Sequence, residues 1–169
     1  MRNLILACCM PLLMLIGLGP AAAELEHMED QFLISQQVAK YAQMWDRKDA
    51  EAFAELFTED GVMEWHFAGA TGEAPSIAGQ ARIQGYPESV RTGRLAGRQS
   101  RHHFIGLVFE ELQEARALTE HIFMATHVVD DEAPVLQSTG IYRIEWRKTD
   151  AGWRIANRKL FVDRPAPSQ

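Results

Sequence analysis

Between residues 29 and 47 apolar side chains recur at helical spacing. Ile34, Val38, Tyr41, Ala42 and Trp45 alternate with Gln36, Gln37 and Lys40, which predicts an amphipathic helix with one buried stripe. Asp49 is placed to cap a second, short helix running through Ala50 to Phe57, with Phe53, Leu56 and Phe57 inward, and Glu59-Asp60-Gly61 ends it in a turn. The pattern then becomes two-fold. From Val62 to Phe67, Met63, Trp65 and Phe67 share one face and Val62, Glu64 and His66 the other. Residues 68 to 100 are rich in Gly, Ala, Ser and Arg, with a short helix expected around Ala81 to Gln84 and a mobile segment at 91 to 100. Three long strands follow, about 101 to 112, 115 to 129 and 137 to 148, then a last one at 152 to 162 after the hairpin turn Asp150-Ala151-Gly152. Helices first and a strand meander afterwards is the α+β pattern: a strongly curved antiparallel sheet wrapped round N-terminal helices, a cone-shaped roll with an internal cavity.

The N-terminus changes where this domain starts. Arg2 precedes the apolar run Leu4 to Leu18, Gly19-Pro20 breaks it, and Ala21-Ala22-Ala23 offers small residues for cleavage, so residues 1 to 23 read as a secretory signal. The run is short for a membrane span, although retention as an anchor stays open. The domain is then expected over 24 to 163 with a disordered tail at 164 to 169, and the product is periplasmic or secreted. Cleavage removes Cys8 and Cys9, leaving a thiol-free domain whose stability rests on its core. It also removes Arg2, one of 17 basic residues against 23 acidic ones, so the mature net charge is −7. That balance argues against nucleic acid as a partner.

Six histidines raise the question of a metal, but their spacing matches no zinc or iron signature, so no metal is expected. His102 and His103 are adjacent on a strand and must face opposite ways. Ile105, Leu107 and Phe109 share the parity of His103, whereas Phe104, Gly106 and Val108 share that of His102, so the count favours His103 as the inward residue. His121 and His127 share a face but lie about 20 Å apart at ~3.4 Å per residue, so only one can belong to a site. Each alone also fits a core or surface histidine bonded to backbone. Asp46 ends the buried stripe of the first helix beside Trp45, where it could equally bond nearby backbone. A carboxylate there and a histidine on the facing sheet form a general acid/base unit in which the carboxylate orients the imidazole. Tyr41, about a turn and a half earlier, could donate a hydrogen bond to a substrate carbonyl.

Four segments carry a family resemblance: YAQMWDRKDAEAFAELFTEDGVMEWHF at 41 to 67, SRHHFIG at 100 to 106, EHIFMATHV at 120 to 128, and the closing TGIYRIEWRKTDAGWRIANRKLF. Over about residues 30 to 162 the chain resembles the SnoaL-like group of the nuclear transport factor 2 superfamily, closest to the scytalone dehydratase and bile-acid dehydratase type. The resemblance implies that Asp46 is the dehydratase aspartate, His103 its paired histidine, His127 a second pocket histidine and Tyr41 a catalytic tyrosine. It implies a cofactor-free elimination of water from a hydroxylated, carbonyl-bearing apolar molecule. Trp45 and Trp65 stand where scytalone dehydratase has tyrosines, and an indole cannot accept a hydrogen bond, so scytalone itself is not the expected substrate. Trp45, Trp65, Phe67, Phe123 and Tyr142 suggest a ring-containing ligand, and simple core packing accounts for each of them as well. The alternatives are a double-bond isomerase of the ketosteroid isomerase kind and a non-catalytic small-molecule-binding module. Apolar residues on both faces of 115 to 129 point to a homodimer or homotrimer through the outer sheet face.

Overall fold

The computed structural model describes residues 20–93 and 96–166, with side chains from Glu24 onward. The hydrophobic part of the expected signal therefore lies outside the described residues, as do residues 167–169 of the expected tail. Helix α1 (Pro20–Arg47) starts earlier than its periodicity suggested and buries Asp30, Ile34, Val38 and Tyr41 as one stripe. It stops because the chain turns left-handed at Lys48, φ 63°. The Lys48 N–H then donates to the Trp45 carbonyl at 2.9 Å and the Asp49 N–H to that of Met44 at 3.0 Å, satisfying carbonyls that a helix end otherwise orphans. Asp49 caps α2 (Ala50–Ala54) by accepting from the Ala52 N–H at 3.0 Å. Asp46 thus sits in a last turn fixed from both sides.

The remaining elements are β1 (Phe57–Phe67), β2 (Ser76–Ala78), α3 (Gln80–Thr92), β3 (Arg98–Leu112), β4 (Arg116–Val129), β5 (Val135–Thr149) and β6 (Gly152–Val162). They form a six-stranded sheet in the order β2-β1-β6-β5-β4-β3. The sheet is mixed, because β1 runs parallel to β6, whereas the other pairs are antiparallel as expected. Helix α2 ends before Phe57, which already belongs to β1. The stretch expected to be irregular holds strand β2 and a longer helix than foreseen, with Pro87 inside it.

Buried Asp30 anchors α1 to the sheet, accepting from the Trp153 indole at 2.7 Å and from the Lys148 ammonium at 3.0 Å. Trp146 and Trp153 lie in the core with Phe53, Phe57, Ile144 and Ile155, and the Trp146 indole donates to Thr119 at 2.8 Å. Bending the sheet requires close backbone approach at Gly140, where a Cβ would meet the Phe161 carbonyl oxygen at 2.1 Å. It also requires breaks in register. Strand β3 slips against β4 between Ile105 and Val108, at Gly106 with φ +68°, and again between Phe109 and Glu111.

Candidate active site

A cavity of about 430 Å³ opens between the helices and the inner face of the sheet. Trp45, Trp65, Phe67, Phe123 and Tyr142, the five aromatics read from the sequence as ligand contacts, all stand in its wall. Tyr41 and His127 line it as well. Strand register explains His127: it pairs with Ser100 across β3–β4, and both side chains are buried on the inner face. His121, on the same face, lies outside the cavity wall, stacked on Tyr142 at 5.5 Å and tilted against Phe104 at 4.6 Å.

The histidine that meets Asp46 is His102. Its Nδ1 lies 2.8 Å from Asp46 Oδ1, its backbone N–H donates to Oδ2 at 2.8 Å, and the Ser100 hydroxyl donates to Oδ1 at 2.9 Å. Burial by itself would raise the Asp46 carboxyl, but the hydrogen bond and charge of the His102 ring, its backbone N–H and Ser100 outweigh that and hold it below the ordinary carboxylate range. An ionised carboxylate only accepts, so Nδ1 carries the proton and Nε2 is left as the basic nitrogen. The ring is held by stacking on Phe123 at 5.7 Å and by the edge of Trp45 at 5.9 Å. Imidazole and carboxylate are therefore oriented before any ligand arrives.

His103 does not take the role expected of it. It is exposed on the outer face, where its Nε2 lies 3.2 Å from the Thr126 hydroxyl. The parity count failed because it ran straight through Gly106. The bulge there exchanges the faces, so Ser100, His102 and Phe104 point inward before it while Leu107 and Phe109 point inward after it. A glycine inside a long strand is itself the sequence mark of such a break. Ser100, a third partner to the carboxylate, was not foreseen either, although it shares the parity of His102.

Arg158 was also missed. It is 1% exposed and lies in the cavity wall, with its guanidinium 4.5 Å over the Trp65 ring and 5.5 Å over that of Tyr142. Strict alternation from Trp153 and Ile155 would turn it outward, but β5 and β6 slip between Glu145 and Trp146 and turn it in. Burial raises the Tyr41 phenol, and the Arg158 charge and a hydrogen bond from Tyr142 only partly oppose that. Burial, then the neighbouring Tyr41, pushes Tyr142 well above the phenol range. Both phenols stay protonated across neutral pH and can donate.

The architecture and the sequence agree on kinship. A family model described as the SnoaL-like domain matches residues 26–159. The chain belongs to the SnoaL-like family. Among solved structures, this SnoaL-like domain is similar to a nuclear transport factor 2-like protein with a cystatin-like fold from Novosphingobium aromaticivorans: 24% identity, 88% of this chain and 91% of that one covered, TM-score 0.72. It is similar to a candidate scytalone dehydratase from the same organism (20% identity, 84% and 89% covered, TM-score 0.65). It also resembles the β subunit of a candidate aromatic-ring-hydroxylating dioxygenase from that organism (14% identity, 86% and 94% covered, TM-score 0.70). At these identities the likeness establishes the fold. No curated protein matches the chain at a significant level.

The structure joins Asp46 to His102, not to the His103 that the resemblance implies, and His102 lines the cavity with Tyr41 and His127 while Asp46 stands behind it. Among the described residues no three His, Cys, Asp or Glu side chains gather as metal ligands would.

Proposed function

We propose that the protein is a cofactor-free dehydratase acting on a hydroxylated, carbonyl-bearing apolar molecule, with His102 as the acid/base group. The observation that carries this reading is the Asp46–His102 contact, which sets the imidazole in the wall of an aromatic-lined cavity with the carboxylate behind it. His102 Nε2 takes the proton beside the carbonyl, and the resulting enolate oxygen is met by the Tyr41 phenol. The electron pair then collapses to a carbon–carbon double bond, the hydroxyl leaves, and it takes the proton back from Nε2 to depart as water. Asp46 holds the ring and its charge through this cycle, and His127 positions polar atoms of the substrate.

Mass spectrometry of extracted hydroxylated carbonyl compounds, incubated with the purified protein, tests the proposal. Conversion to a product lighter by one water is expected. A product of equal mass points to a double-bond isomerase, and tight retention with no conversion to a capture protein.

Export belongs to the same proposal, resting on the apolar run Leu4 to Leu18 and the alanines that follow. N-terminal sequencing of the natural protein should begin near Glu24; an intact N-terminus in the cytoplasm contradicts export.

We also infer self-association through the outer sheet face. Ile105, Ile122, Ile141 and Phe161 are cross-strand partners in one continuous row, and each is substantially exposed, Ile122 by 51%. Aligned apolar residues on a sheet face fit a second copy of the same row packed against it. Ile122→Glu should convert the assembly to a monomer by light scattering without lowering the helix and strand content; a wild-type protein that is already monomeric removes the inference.

A further inference from the structure

We infer that the ligand of this cavity is an organic anion whose negatively charged oxygen group is received by Arg158. This deepens the dehydratase reading by naming the substrate class, and rests on it only for the chemistry that follows binding. Arg158 is fully buried, and no carboxylate lies within salt-bridge distance of it among the described residues. One of its five donors is used by the Glu64 backbone carbonyl, at 2.8 Å from Nη1. Its Nε–H has no partner among the described residues.

A buried cation without a counter-charge is a liability for folding, because its desolvation is costly and no carboxylate among the described residues returns that cost. The contacts over Trp65 and Tyr142 offset part of this, since cation–π attraction strengthens when the pair is desolvated. The charge of the wall points the same way. A second arginine, Arg164, stands at the exposed rim, fixed there by its carbonyl accepting from the Ala68 N–H at 3.2 Å. Among the described residues no Asp or Glu lines the cavity, although the whole chain carries a net charge of −6. An acidic protein whose described cavity wall holds a planar guanidinium and no carboxylate is arranged for a carboxylate or similar group, which the fork can grip with two parallel bonds. The apolar body of the ligand would lie against Trp65, Phe67 and Phe123.

The probes are naphthoate and naphthamide, which share a ring system and differ in charge, titrated by quenching of the cavity tryptophans. Wild-type protein should bind naphthoate at least tenfold more tightly than the amide. Arg158→Met, a residue of similar length, should erase that preference while melting no lower than a few degrees below wild type, and Arg158→Lys should keep the preference with weaker acid binding. His103→Ala, on the outer face of the sheet, should keep it in full. Equal affinity for acid and amide in the wild type, a preference that survives in Arg158→Met, or one lost in folded Arg158→Lys overturns the inference. Failure of the dehydratase reading looks different: no compound loses water, yet the preference for the acid stands.

Discussion

His102→Ala should lower turnover by about 10²- to 10⁴-fold, the range general acid/base groups contribute, whereas His103→Ala should leave it unchanged. Both variants should fold. The first removes the imidazole but keeps the backbone N–H of residue 102, so Asp46 retains that donor and the Ser100 hydroxyl and is not left as an unpaired buried charge. Lost packing on Phe123 and Trp45 should cost some stability without threatening the fold. His103→Ala removes only an exposed ring beside Thr126. Circular dichroism alongside the rates separates loss of chemistry from loss of structure, and full activity in folded His102→Ala removes that residue from the mechanism.

The second large effect is on stability. His121 is 2% exposed, its two ring nitrogens have no hydrogen-bond partner among the described residues, and burial lowers its pKa from 6.5 to about 4. The unfolded chain therefore binds a proton that the folded chain refuses between those values, so stability falls as pH drops from about 6.5 towards 4. The loss from this one residue should be on the order of 2 kcal/mol at pH 5 and 3 kcal/mol at pH 4. Asp46 does not blur this window. Its folded pKa lies below the ordinary 3.8, so its contribution is in place above that value and is lost only at lower pH. Urea unfolding at neutral pH and at pH 5 measures the slope. His121→Phe, which keeps a flat ring between Phe104 and Tyr142, should flatten it by that amount; equal slopes in both proteins would place the acid sensitivity elsewhere.

Helix periodicity carried the most information. Ile34, Val38 and Tyr41 lie buried where spacing put them, and Asp46 follows Trp45 into the protein because the Lys48 turn fixes the last coil of α1. Met63, Trp65 and Phe67 alternate without a break, and all three reach the cavity. The misplacements share one physical origin. Curving a long sheet around a cavity demands bulges, and each bulge exchanges inside for outside. Gly106 exchanged the apparent roles of His102 and His103, and the slip near Trp146 hid Arg158 among residues that read as solvent-facing. Strand β2 holds only Ser76–Ala78 and is defined by pairing with β1, so no local pattern announces it. The parallel contact of β1 with β6 joins strands far apart in sequence and likewise leaves no local trace.

The central claim is that Asp46 and His102 act as one unit, the carboxylate working only through the imidazole. The most direct measurement is a double-mutant cycle on the rate of water loss, with wild type, Asp46→Asn, His102→Ala and the double variant. The double variant should be no slower than His102→Ala alone, because once the ring is gone its holder has nothing left to orient. Independent losses that multiply in the double variant contradict the account.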